Sequence, residues 1–95
     1  MPLFIRLASL TEKGGEQVRD FTKMLAQAKK ATESKGARIV EAYVTLGRYD
    51  VVAIIDAPDA TSAAKVSALI AEQGNFKGET LMAIPVEDFV QEISS

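Results

Sequence analysis

Ninety-five residues with 11 Lys and Arg against 13 Asp and Glu carry a formal net charge of -2 and a pI near 5.1, without the cationic footprint that displaces counterions from nucleic-acid phosphates. His and Cys are both absent, which removes the commonest general base near neutral pH, the commonest metal ligand, thiolate nucleophiles and disulfides. A chain this short buries roughly 60–65% of its unfolded surface, and a hydrophobic fraction of 47% leaves apolar surface to spare.

One domain spanning residues 1–95, assembling into a homo-oligomer, is therefore expected. No metal site and no cofactor are expected. The Met-Pro-Leu-Phe start lacks a basic n-region, and no apolar run approaches the roughly 18 residues of a membrane span. A soluble, cytoplasmic protein with neither nucleic acid nor membrane as partner is the expectation.

In chain order, Leu3 to Leu10, LFIRLASL, alternates as a strand, with Leu3, Ile5 and Leu7 on one face and Phe4, Arg6 and Ala8 on the other. From about Gly15 to Lys35, Val18, Phe21, Leu25, Ala28 and Thr32 recur at helical spacing, and Gly36 suits a left-handed helix end. Ala37 to Leu46 returns to period two, opposing Val40, Ala42, Val44 and Leu46, expected to face the helices, to Ile39, Glu41, Tyr43 and Thr45. Val51 to Ala57 is apolar on both parities, the pattern of a central strand. Gly47 to Asp50 then joins two strands as a hairpin connection, with Asp50 bonding the loop's own N–H groups and Arg48 its most exposed residue.

Asp59 or Thr61 can cap a second helix, which buries Ala63, Val66 and Ile70 and stops at Gly74. Phe76 to Ile84 is a fourth strand with a bulge at Gly78. Pro85 to Ile93 is a short terminal helix with Val86, Phe89, Val90 and Ile93 on one side. The order βαββαβ, with right-handed crossovers, gives a ferredoxin-like α+β sandwich: a four-stranded antiparallel sheet, two helices on one face, and a short C-terminal helix.

On these parities the uncovered sheet face carries Phe4, Arg6, Ala8, Ile39, Glu41, Tyr43, Thr45, Val52, Ile54 and Asp56, with Thr80, Met82 and Ile84 from the fourth strand. It is an apolar field in which Arg6, Glu41, Tyr43 and Asp56 are the ligand-binding candidates: Arg6 to hold an anion, Tyr43 to donate a hydrogen bond, Glu41 or Asp56 to act as base. The same four residues can equally be paired across an interface between copies. Pro2 becomes a secondary-amine base of tautomerase type only after loss of Met1, and a retained Met1 blocks it. Gly14-Gly15 and Gly78 lack the surroundings of a phosphate loop.

The segment Leu46-Gly47-Arg48-Tyr49-Asp50-Val51-Val52 resembles the signature of the GYD domain family, with an Arg between Gly and Tyr. Pro2-Leu3-Phe4-Ile5, Leu10-Thr11, Asp56-Ala57-Pro58-Asp59, Gly74-Asn75, Glu79-Thr80-Leu81 and Pro85, Glu87 and Phe89 extend the resemblance along the chain. It implies a ferredoxin-like domain, makes Gly47, Tyr49 and Asp50 a fold signature, and brings no catalytic residues. The resulting expectation is an oligomeric small-molecule-binding or assembly module. Two alternatives stand beside it. One is a cofactor-independent monooxygenase or isomerase, on the likeness to dimeric α/β-barrel enzymes. The other is a stand-alone effector-sensing module, because the hairpin is similar to that in the ligand domains of leucine-responsive regulators.

Overall fold

The computed structural model describes residues 2–95, so Met1, and with it the state of the Pro2 amine, lies outside the described residues. Four strands are present: β1 (Leu3–Leu10), β2 (Arg38–Val44), β3 (Val51–Asp56) and β4 (Phe76–Ala83). They form one sheet in the order β2-β3-β1-β4, with all three pairings antiparallel. The central strands are those that begin the two βαβ halves, which is the ferredoxin-like arrangement.

The first helical stretch is divided. A five-residue helix α1 (Glu12–Glu16) and a 3₁₀ turn at Val18–Asp20 precede α2 (Phe21–Glu33), where a single helix from Gly15 is expected. Gln17 leaves helical geometry at φ -109° and ψ 17°, and Gly14-Gly15 in the preceding turn lower the cost of the break. As a result Val18 is exposed instead of joining the core. Helix α3 (Ala60–Gln73) matches its sequence signals. The Asp59 carboxylate accepts from the Ser62 N–H at 2.7 Å, and Gly74 closes the helix at φ 82°, a left-handed angle that favours glycine. Of the two candidate caps, Asp59 serves.

The core lies between one sheet face and the helices α2 and α3. Met24, Ala28 and Ala31 of α2 and Ala63, Val66 and Ile70 of α3 pack on Phe4, Ala8 and Ile55 of the sheet. Ala53, opposite Arg6 in the ladder, is buried on the same face. The covered parity of β1 is thus Phe4, Arg6 and Ala8. This reverses the expected facing, which left those three uncovered, and the register carries the reversal into β4. Thr80 pairs with Arg6, and Met82 pairs with Phe4.

Strand β2 contains an irregularity between Ile39 and Glu41. Val40 is the extra residue, so that Ile39 opposes Ile55 and Glu41 opposes Ile54, and the alternation slips by one across it. Ile39 therefore packs against the core, although Glu41 and Tyr43 lie on the uncovered side as expected. No slip occurs at Gly78, which pairs in regular register with Ala8. What requires glycine there is contact, since a Cβ would collide with the Leu7 carbonyl oxygen. Helix α4 (Val86–Ser94) follows Pro85, and none of its residues is buried. Among the described residues no helix is long and apolar enough to cross a membrane.

Candidate functional site

The sheet face away from α2 and α3 presents Leu3, Ile5 and Leu7 of β1, Val52 and Ile54 of β3, Tyr43 of β2 and Leu81 of β4, as the register requires. Charge enters at its margins through Arg38, Glu41, Asp56 and Glu79. The central apolar residues are only half-buried, and Tyr43 and Leu81 are exposed. Helix α4 follows β4 in the chain, and its Val86, Phe89, Val90 and Ile93 are all exposed at the i, i+3, i+4, i+7 spacing of a helical stripe. The sequence contains that stripe, but its lack of a partner appears only in the structure.

Of the four candidate ligand residues, Glu41, Tyr43 and Asp56 share the uncovered face, and Arg6 does not. Arg6 points between sheet and helices and is 6% exposed. Its Nη1 donates to Thr80 Oγ1 at 3.3 Å, and Thr80 Oγ1 lies 2.6 Å from Ser67 Oγ of α3. The Arg6 Nε is sealed from solvent with no hydrogen-bond partner. Burial alone lowers the guanidinium's pKa from its ordinary value, because removing water disfavours the charged form. The expected anion-and-base pocket is thus divided between two sides of the sheet. The group that sequence reasoning missed is the interior one, Arg6 with Thr80 and Ser67. Its signal was a charged residue on the same parity as Phe4 and Ala8. Among the described residues no group of three or more Asp and Glu could hold a metal ion.

The Gly47–Asp50 loop proves to be a set of ties between strands. Thr45 N–H donates to the Asp50 carbonyl at 2.8 Å, and the Thr45 hydroxyl donates to the Tyr49 carbonyl at 2.7 Å. Asp50 N–H donates to the Ala8 carbonyl at 2.9 Å, and its carboxylate accepts from Leu10 N–H at 2.8 Å. Backbone and side chain of one residue thereby extend the β1–β3 ladder past the end of β3. The Asp50 side chain serves β1, in place of the loop's own N–H groups. Tyr49 reaches the other edge, its hydroxyl donating to Glu79 Oε1 of β4 at 3.0 Å. Gly47 adopts φ 107°, which a side chain rarely tolerates. Leu46, expected against the helices, is instead 100% exposed, and within the loop Arg48 is exposed while Tyr49 and Asp50 are half-buried.

Tyr49 and Asp50 of the family signature make these ties and Gly47 supplies the turn between them and β2, and a family model for the GYD domain matches residues 4–93. The chain belongs to the GYD domain family. It is also 36% identical, over 91 residues, to a protein of Thermus thermophilus named glutamine synthetase and cystathionine beta-lyase binding protein; the match covers 95% of this chain and 96% of that one. No solved structure matches. Within this GYD domain Tyr49 and Asp50 hold strands together while Gly47 permits the turn. The surfaces left without a partner among the described residues are the bare sheet face and the α4 stripe.

Proposed function

We propose that this GYD domain is a protein-binding assembly module that pairs with a second copy through its uncovered sheet face. The α4 stripe of each copy lies against the other. The observation that carries this reading is surface area. The chain exposes 6309 Å², whereas a compact monomer of its 10.2 kDa mass exposes roughly 5300 Å². The excess of roughly 1000 Å² is comparable to the about 800 Å² that each partner buries in a standard protein interface. An isologous pairing also fits the layout, because a face and a helix stripe present in each copy can be exchanged symmetrically. Glu41, Asp56 and Arg38 at the margin then act as polar rim groups around an apolar centre.

The relative's name supplies the second half of the proposal: the assembled module docks onto glutamine synthetase or cystathionine beta-lyase. Light scattering at micromolar concentration is expected to give twice the chain mass. Ile54→Lys places a charge at the centre of the face and is expected to return a folded monomer. A wild-type monomer, or an Ile54→Lys dimer, would overturn the pairing. Titration of either enzyme from the same organism with the wild-type module tests the docking, and absence of heat and of co-migration with both enzymes would remove that half.

A further inference from the structure

The break in the first helical stretch opens a hollow apart from the sheet face and from the interior around Arg6. Gln17 leaves helical geometry there, and the 3₁₀ turn that follows sets Gln17 and Asp20 in the same wall as Lys23 and Gln27 of α2. The remaining wall is the corner where α3 passes into β4, with Lys13 of α1 against it. The space is about 350 Å³, within the about 300–1,000 Å³ of small-molecule sites, and polar atoms make up most of its surface.

Leu10-Thr11 and Gly74-Asn75, two stretches that the ties of the Gly47–Asp50 loop leave unexplained, meet at this corner. Thr11 N–H donates to the Asn75 carbonyl at 3.0 Å, the Thr11 hydroxyl donates to the Gly74 carbonyl, and a Cβ on Gly14 would collide with the Asn75 carbonyl oxygen. Lys13 is held against the corner by its Nζ, which donates to the Gln73 carbonyl at 3.0 Å. Gln27 is held twice: its carbonyl accepts from Gln73 Nε2 at 3.0 Å, and its Oε1 accepts from Asn75 Nδ2 at 3.3 Å. An ammonium has three donors and a carboxamide two, so Lys13 and Gln27 both keep N–H groups in reserve. Asp20 and Lys23 make no side-chain hydrogen bond or ion pair among the described residues.

Two ammonium groups and one carboxylate thus surround one space without neutralising one another. A phosphate or a simple dicarboxylate would satisfy the cations but set an anion against Asp20. A polyamine would meet two like charges. The complement, group for group, is a molecule with two carboxylates and one ammonium. We infer that this hollow binds a free acidic α-amino acid, its carboxylates on Lys13 and Lys23 and its ammonium on Asp20. Gln27 adds a neutral donor, and Met24, which also lines the hollow, offers apolar contact to the methylene chain. The fixed Lys13 and Gln27 reduce the ordering cost of binding. Asp20 and Lys23 are exposed, so water and salt screen their pairs, and a Kd of about 1 mM is expected.

The test uses the full chain at low ionic strength with L-glutamate and L-aspartate. L-glutamine, which lacks the second carboxylate, glutarate, which lacks the ammonium, and sodium chloride are the controls. Thermal shift and amide NMR are the readouts. At least one acidic amino acid is expected to raise Tm with concentration and to move amide signals within residues 17–27 and 73–75. Glutamine and glutarate are expected to bind about tenfold more weakly or worse, each lacking one charge-assisted contact. Asp20→Asn, an exposed change, is expected to weaken the acidic amino acid by a similar factor while leaving glutarate no weaker than on wild type. Lys23→Gln is expected to remove most of the preference for glutamate over glutamine. The inference is overturned if neither acidic amino acid acts beyond sodium chloride up to about 50 mM, far above millimolar binding. It is equally overturned if glutarate matches glutamate on wild type, if Asp20→Asn responds as wild type does, or if the NMR shifts fall elsewhere. None of these readings depends on whether the sheet face pairs.

Discussion

Replacing Asp50 by Ala removes a carboxylate that accepts from Leu10 N–H at 2.8 Å and leaves the Asp50 N–H to Ala8 bond in place. A hydrogen bond to a charged group contributes about 1.5–3 kcal/mol, with the upper end reserved for buried sites. Asp50 is half-exposed, and water can reach part of the vacated space, so about 1.5 kcal/mol is the expected loss. For a domain of this length, 1 kcal/mol corresponds to about 4–8 °C in Tm, which places Asp50→Ala roughly 6–12 °C below wild type. Asp50→Asn keeps a neutral acceptor of the same shape and is expected to recover about half of the loss. Calorimetry on the three proteins reads both steps. An unchanged Tm for Asp50→Ala would refute the ladder-extension argument. So would equal Tm values for Asp50→Ala and Asp50→Asn, because the bond would then owe nothing to the acceptor.

Met24, fully enclosed at 2% exposure, is expected to lose about 2–5 kcal/mol on change to Ala, read as a lower denaturation midpoint with little change in slope. Gly78→Ala forces a Cβ against the Leu7 carbonyl and is expected to cost about 1–3 kcal/mol, detectable by the same titration. Phe89→Asp on the bare α4 stripe is expected to shift light scattering toward monomer while leaving the unfolding of the isolated chain nearly unchanged. The Asp59 carboxylate is held below its ordinary value of 3.8, first by the backbone N–H of Ser62, then by the Ser62 side chain, with a smaller contribution from Lys65. Its stabilisation is therefore present above that ordinary value and is lost as pH falls through the lower folded pKa. Asp59→Asn should retain the cap and flatten this acid limb, whereas Asp59→Ala should lower Tm at pH 7.

Element types were legible because period two and period 3.6 are each written over enough residues. Facing was less so. LFIRLASL is apolar on both parities, and the single charge in it, Arg6, argues for placing that parity outward, since an unpaired buried cation is rare. The answer lies in β4 and α3, where Thr80 and Ser67 meet Arg6 from 74 and 61 residues away in sequence, a distance that alternation cannot report. In β2 the extra residue at Val40 leaves Glu41 and Tyr43 where a plain alternation puts them and rotates only Ile39. The uncovered face was therefore read correctly at Glu41, Tyr43, Val52, Ile54 and Asp56, and incorrectly at Phe4, Arg6, Ala8, Ile39, Thr80 and Met82. The signature Gly47, Tyr49 and Asp50 was recognised as structural, but its targets, Leu10 and Glu79, could be assigned only once the strand order was known.

The irregularity at Val40 also bears on how assembly ends. β2 is an outer strand, and a regular outer strand offers an unbroken row of N–H and C=O groups to any neighbour, so copies could add edge to edge without limit. The interrupted row at Val40 spoils that template on one side of every molecule. Growth by ribbon extension is thereby discouraged, which agrees with the pairing proposed above, in which two copies would close on each other through the broad face and leave nothing further to recruit.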